Sequence, residues 1–340
     1  MYRNVLCLVL GLIAGMQLTE FWGFLTFTAD EYESTAIAVD NAAPTLPLKV
    51  SLADWLHHQT RVLCMVLTMP KDHATKAAKL KATWGARCNK LIFLSSLDDD
   101  ALGAVNLNVT EKRSNLYTKV RAGFAYVYKH YGEDYDWFLK ADDDTYVIME
   151  NLRHFLYPYD PEAPVYFGYR FRTSYPQGYM SGGAGYVLSR DALRRFNLFA
   201  LNSTKFCPLL DRPEDRQIGY CLLNVGVIAG NTRDDLGRER FLPMNPRHLI
   251  PEVQPGTWMD DTFYFKINYS DFCSDTTISF HYSKTHDFDL YEYFLYKLRV
   301  LGRSETSYTL PKRLDGKQME QMLEYWSAQK SENPTELQRL

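Results

Sequence analysis

The sequence carries almost no excess charge. Its 340 residues have a formal net charge of −3, and no long block of lysine or arginine occurs. That argues against nucleic acid as the main partner. No internal repeat is present either. The glycine-rich stretch Gly182-Gly183-Ala184-Gly185 has the wrong spacing for a dinucleotide fingerprint or a P-loop, although it lets the backbone approach something closely. Cysteines are few. With Cys7 set aside inside an apolar run, Cys64, Cys88, Cys207, Cys221 and Cys273 remain, an odd number. Proximity in the chain favours Cys64 with Cys88 and Cys207 with Cys221, leaving Cys273 free or intermolecular, though spacing alone does not fix connectivity. What is abundant is apolar material. At 46% hydrophobic residues the chain can build a sizeable core, in one large domain or two. Tyrosine is frequent, and tyrosine serves both as a platform for sugars and as core packing.

Residues 5–27 form an apolar run broken by Gln17, Thr19 and Glu20, with Arg3 before it and Asp30, Glu31 and Glu33 after it. A run of this length can span a bilayer. The flanking charges favour a cytoplasmic N-terminus. The expected organisation is a cytoplasmic tail (1–4), a transmembrane signal anchor (5–27), a lumenal stem (28–58), a catalytic domain (59–310) and a polar peripheral tail (311–340). The rival reading is a cleaved signal peptide with residues 6–14 as its apolar core. Either route leads to the secretory pathway, in agreement with sequons at Asn108, Asn202 and Asn268.

Within the larger part, Arg61-Val62-Leu63-Cys64-Met65-Val66-Leu67-Thr68 reads as a strand buried on both faces. A helical stretch over residues 75–84 and a second strand over 90–95 follow. This alternation predicts a parallel sheet with helices on its faces. Residues 115–130 read as a helix with Lys119 and Arg121 in its early turns, where basic groups could meet a phosphate or simply face solvent.

The centre of the pattern is Trp137-Phe138-Leu139-Lys140-Ala141-Asp142-Asp143-Asp144-Thr145-Tyr146. A short buried strand ends there in three carboxylates, at the strand end where α/β folds bind ligands. Adjacent carboxylates repel and call for a counter-charge. Asp142 and Asp144, two apart, can share one divalent cation of the kind that holds a diphosphate, Mg²⁺ or Mn²⁺. A solvated acidic turn is the plainer reading. Downstream, Pro213-Glu214-Asp215 reads as a helix start, where acids are favoured for structural reasons, or as the site of a general base. The β-branched run Thr276-Thr277-Ile278-Ser279-Phe280-His281-Tyr282 reads as a strand. If His281 faces Asp144, it completes a mixed oxygen and imidazole site suited to Mn²⁺.

Together with Lys81-Ala82-Thr83-Trp84, Arg87-Cys88-Asn89-Lys90, Tyr166-Phe167-Gly168 and the block from Gln177 to Ser189, these motifs carry a resemblance. The chain resembles the animal core 1 β1,3-galactosyltransferases, within the inverting β1,3-glycosyltransferases that include Fringe, over residues 61–301. The resemblance implies a Rossmann-like GT-A nucleotide-sugar transferase fold, a single-pass type II Golgi anchor with a lumenal catalytic domain, and Mn²⁺ as cofactor. It implies UDP-galactose as donor and α-linked N-acetylgalactosamine on Ser/Thr of a glycoprotein as acceptor, with a homodimer as one assembly. By matching position, Asp142, Asp144 and His281 would serve the metal. Leu67, Glu111, Arg113, Lys119 and Asp142 would lie around UDP, Asp215 would be the base, and Trp258 and Tyr282 would meet the acceptor. Two departures stand out. Phe272-Cys273 replaces the family's usual pair of adjacent cysteines, and the family's Trp/Tyr-rich acceptor segment is altered over residues 257–265. A different donor or acceptor, or a non-catalytic lumenal partner, are the competing readings. The intact acidic and histidine positions argue against the last.

Overall fold

The computed structural model describes residues 51–208, 212–250, 258–300 and 310–330. The expected tail, anchor and residues 28–50 of the expected stem lie outside them. Among the described residues no helix is long and apolar enough to cross a membrane.

Helix α1 (Leu52–Gln59) leads into strand β1 (Val62–Leu67), and β2 (Lys90–Ser95) and β3 (Ala104–Asn106) follow. Next come β4 (Trp137–Asp142), β5 (Tyr146–Val147), β6 (Val165–Gly168), β7 (Arg170–Phe171), β8 (Tyr179–Met180), β9 (Tyr186–Ser189), β10 (Ile228–Ala229), β11 (Phe241–Leu242) and β12 (Ser279–Phe280). The main sheet has seven strands in the order β10-β6-β9-β4-β1-β2-β3. β4 takes the centre, and β1, apolar at every position, lies inside the sheet between β4 and β2. Val62, Cys64 and Val66 point into one core and Leu63, Met65 and Leu67 into another, on opposite faces. Alternate side chains of a strand point to opposite faces, so a strand apolar throughout needs cover on both.

The expected parallel sheet is only partly found. β1 pairs in parallel with β2 and β4, and β2 with β3, but β9 runs antiparallel to both β4 and β6. The reason lies in the connection. A parallel return needs a crossover, usually a helix, whereas residues 169–185 form only the β7–β8 ribbon and a glycine turn. Gly178 (φ 62°), just before β8, and Gly185 (φ 79°), at the end of the glycine turn, supply left-handed backbone.

The covering helices include α2 (Ala78–Ala82), α3 (Leu116–Tyr131), α4 (Met149–Leu156), α5 (Arg190–Arg195) and α6 (Glu214–Asn224). α3 buries Tyr117, Val120, Phe124 and Val127, a 3-4-3 spacing that makes one apolar stripe. The stretch expected to be helical over 75–84 is broken into a π-turn (His73–Ala77), α2 and a 3-10 turn (Trp84–Arg87). Both anticipated disulfides are present, Cys64–Cys88 and Cys207–Cys221, and Cys273 is a free thiol.

Further along lie α7 (Trp258–Thr262), α8 (Thr285–Tyr296) and α9 (Gly316–Ala328). α9 corrects the expected peripheral tail. Asp315 caps its N-terminus by accepting a bond from the Gln318 N–H (2.9 Å), and Met319 and Trp326 are buried. The Trp326 ring packs at 5.6 Å from Phe167 and 5.7 Å from Tyr159. Burying each such side chain is worth roughly 1.5–3 kcal/mol, enough to fix one short helix to the domain. Residues 52–58, expected in the stem, belong instead to α1, which packs on the domain. Leu56 of α1 is buried, and Trp55 packs on Tyr157 at 5.3 Å.

Candidate active site

Asp142 is the last residue of β4 and sits in register with Leu67 at the end of β1. The chain then turns tightly, and each group of the turn is tied down. Thr145 N–H donates to the Asp142 carbonyl (3.1 Å) and Thr145 Oγ1 donates to the Gly183 carbonyl (2.7 Å). The Trp84 indole donates to the Thr145 carbonyl (2.9 Å). β5 leaves this turn and pairs antiparallel with β12 through Tyr146 and Phe280. That pairing delivers His281 to the acidic turn. Ser283 N–H donates to the Asp144 carbonyl (2.9 Å), and His281 Nε2 lies 3.6 Å from Asp144 Oδ1.

Asp142, Asp144 and His281 thus offer three ligand atoms within 4.8 Å of one another. His281 Nδ1 lies 3.1 Å from the Pro243 carbonyl. That acceptor requires the hydrogen on Nδ1, so Nε2 presents its lone pair to the carboxylates, the usual outer-shell arrangement behind a metal-binding histidine. Gly183 makes room for the ring, since a Cβ there would overlap His281. The donor set, two hard carboxylates and one neutral imidazole, suits a divalent cation. Asp143 points elsewhere. It accepts from Thr68 Oγ1 (2.8 Å) and Lys76 Nζ (3.3 Å). Burial nevertheless pushes its carboxyl up to about 6. Burial also raises Asp144, against the pull of His281.

One residue of the strand went unassigned in the sequence. Lys140 is 1% exposed, and its ammonium donates to Asp142 Oδ1 (2.8 Å) and the Gly182 carbonyl (3.1 Å). It also lies 3.5 Å from Glu214 Oε2. Burial works against its charge, but Asp142 and then Glu214 outweigh that and hold the ammonium well above the ordinary lysine value. Glu214 is fully enclosed and accepts from Tyr186 OH (2.8 Å). Burial pushes it up to about 7, against the opposing pull of Lys140. The only signal in the sequence was a lysine inside an otherwise apolar strand.

Asp215, the next residue, turns into the open cleft at the start of α6. Its Oδ2 accepts from Gly182 N–H (2.9 Å) and its Oδ1 from Arg216 N–H (2.8 Å). The two bonds fix the carboxylate while leaving lone pairs free. Asp142, Asp144, His281 and Asp215 line one cavity of about 910 Å³, together with Arg113, Trp258, Tyr282 and Arg212. Trp258 is 51% exposed and Tyr282 62% exposed. Tyr282 has φ 53°, a left-handed conformation that a bulky residue adopts only under constraint, and its ring stacks on His281 at 3.8 Å.

Three expected nucleotide contacts do not line this cavity. Lys119 is 4% exposed and donates to both oxygens of Glu111 (2.7 and 2.9 Å) and to the Thr68 carbonyl. Leu67 is buried beneath the same corner. Leu67, Glu111 and Lys119 therefore brace the end of β1, and Arg113 is the member of the group that reaches the cavity.

Fold and site define a mixed α/β protein with a carboxylate–imidazole cleft at the C-terminal ends of its central strands. The chain belongs to the Fringe-like family, which matches residues 57–287. Among individual relatives, it is 42% identical over 261 residues to glycoprotein-N-acetylgalactosamine 3-beta-galactosyltransferase 1 of Xenopus laevis, spanning 76% of this chain and 72% of that one. It is 31% identical over 169 residues to a beta-1,3-glucosyltransferase of Mus musculus, spanning 49% of this chain and 34% of that larger protein. A solved structure of the galactosyltransferase LgtC with donor and acceptor sugar analogues aligns with a TM-score of 0.39 at 12% identity, over 70% of this chain and 97% of that one.

Proposed function

We propose that the protein is an inverting β1,3-galactosyltransferase of GT-A type that moves galactose from UDP-galactose to the 3-hydroxyl of GalNAc-α-Ser/Thr on glycoproteins. The observation that carries this reading is the cavity in which Asp142, Asp144 and His281 face the same space as Asp215. The similarity to a galactosyltransferase over most of the chain supports the donor and acceptor named.

In this reading Asp142, Asp144 and His281 would hold Mn²⁺, and Arg113 adds a cation on the wall just before α3. The metal supplies charge neutralisation for the departing diphosphate. Asp215 takes the proton from the acceptor 3-hydroxyl while that oxygen bonds to the anomeric carbon. The bond from that carbon to the UDP oxygen breaks in the same in-line displacement. Configuration inverts once, so no protein nucleophile is required. Gly182 and Arg216 N–H groups keep the Asp215 carboxylate aimed, and Lys140 keeps Asp142 aimed. Trp258 and Tyr282 offer apolar faces to the acceptor sugar. The same reading places the protein in the Golgi membrane as a type II protein anchored by residues 5–27.

The test is transfer by the purified full chain with UDP-galactose, Mn²⁺ and a GalNAc-α-Thr peptide. Parallel reactions contain EDTA or the Asp215→Asn variant. Galactose transfer lost in both is expected. Mn²⁺-dependent UDP binding without transfer to this peptide would refute the acceptor, and no UDP binding would refute the enzyme.

A further inference from the structure

We infer that Arg212 reads a carboxylate on the acceptor, so that the preferred substrates are glycopeptides carrying a negative charge close to the GalNAc-bearing residue. The inference rests on the proposed transferase reading and goes further, to the class of acceptor. Arg212 lines the cavity three residues before Asp215. Its Nη1 is shut off from solvent and makes no hydrogen bond, and among the described residues its guanidinium pairs with no carboxylate. Lys140 pairs with Asp142 and Glu214, and Lys119 with Glu111. Arg170 and Arg216 also have buried donors without a hydrogen bond, but of these three arginines Arg212 is the one that lines the cavity. A desolvated donor without an acceptor is costly, and a ligand that supplies one relieves the cost.

The side of the cavity decides which ligand. The guanidinium lies over the Tyr220 ring at 5.3 Å, and Tyr220 packs on Tyr175 at 5.7 Å. From the same helix Gly219 abuts Tyr179. Tyr179 packs on Phe171 (5.6 Å), and Phe171 on Trp258 (6.3 Å). Two aromatic groups thus pack on α6, the Tyr175–Tyr220 pair at Arg212 and the Tyr179–Phe171–Trp258 row, and α6 carries Asp215, the group that must touch the acceptor hydroxyl. The diphosphate belongs with Asp142, Asp144 and Arg113. A planar guanidinium binds carboxylate through two parallel hydrogen bonds, which gives direction as well as charge.

The experiment uses the purified full chain with UDP-galactose and Mn²⁺ on three GalNAc-peptides: one neutral, one with Asp beside the glycosylated Thr, and one neutral but sialylated on the GalNAc. The expected result is a preference of about tenfold in kcat/KM for at least one acidic arm over the neutral peptide, the scale of one charge-assisted contact. The arm that is favoured tells an acidic side chain from a sialyl carboxylate. Arg212→Met should collapse the preference, Arg212→Lys should retain part of it, and Arg212→Glu should shift it toward a Lys-flanked peptide. Calorimetric UDP binding by each variant checks that it is folded. Equal rates on all three peptides, or Arg212 variants that weaken UDP binding instead of acceptor use, would overturn the inference and leave the transferase reading standing. Absence of transfer to every GalNAc-peptide would remove both.

Discussion

The two walls of the cleft are built differently. On the sheet side, Asp142 is held by Lys140, His281 by the Pro243 carbonyl, and the turn between them by Trp84, Thr145 and Ser283. On the loop side, Trp258 and Tyr282 are more than half exposed and Arg212 has no ion-pair partner among the described residues. The contrast separates two tasks. Positioning a cation and a reacting carboxylate tolerates errors of about half an ångström, and strands with interlocked side chains provide that. Recognition of a varied acceptor is better served by side chains on loops over a rigid scaffold.

Substitutions on the first wall should therefore change the rate and metal use, and those on the second should change acceptor KM. Asp215 bridges the two and carries the largest effect. Asp215→Asn is expected to lower kcat by about 10²–10⁴ while leaving the Kd for UDP nearly unchanged. Steady-state rates with calorimetric UDP binding check this, and a mild loss in kcat would remove Asp215 as the base. Lys140→Met comes next. It strips Asp142 and Glu214 of their shared counter-charge, and breaking a buried pair in this way costs about 3–5 kcal/mol. Mn²⁺ affinity should fall about 10–100-fold, as for other outer-shell groups. Thermal unfolding and Mn²⁺ titration of the folded fraction read the two separately, and normal Mn²⁺ binding would show that Lys140 serves only the fold. Trp258→Ala tests the other wall. It should raise acceptor KM by about tenfold at most, the value of one lost aromatic contact, with donor KM unmoved. A change in donor KM would erase the distinction between the walls.

Much of the sheet wall was legible in the sequence because its signal is local. An apolar strand followed by acids two apart locates Asp142 and Asp144, and a β-branched run ending in histidine locates His281. What brings them together, the antiparallel pairing of β5 with β12, spans more than 130 residues and has no local signature. Lys119 shows the opposite failure. Its place in the first turn of a helix reads as a surface or phosphate-facing cation, but Glu111 folds across it and closes the corner. The packed side of α9 is Met319, Met322, Leu323 and Trp326, at i, i+3, i+4 and i+7 within a polar stretch. That spacing is the signature of one apolar helical face, so this helix was legible in the sequence, and the polar composition around it masked the signal. β9 was legible as a strand but not in its direction, which depends on how little chain is available for a crossover.

The smallest expected effect concerns the proton shared within the sheet wall. Glu214 has a folded-state pKa of about 7 against an ordinary 4.5, because burial outweighs Lys140. The native state therefore holds this proton more tightly than the unfolded chain does. That contribution to stability is complete below about pH 4.5 and is lost as pH rises through 7. Glu214→Gln keeps an acceptor for Tyr186 OH and cannot ionise, so it removes the pH dependence without removing the hydrogen bond. Between pH 5 and pH 8 the Tm of the parent should fall more than that of Glu214→Gln, by a few degrees, since about 1 kcal/mol moves Tm by only 2–4 °C in a domain of this size. Scans with Mn²⁺ present and with EDTA sharpen the point. A cation held by Asp142 would offset that carboxylate's charge and lessen its repulsion of Glu214, which favours the ionised form. The difference between parent and variant should then shrink. Parallel Tm curves for the two proteins in EDTA would mean that the sheet wall holds its charge pair ionised throughout, and that Lys140, not burial, dominates at Glu214.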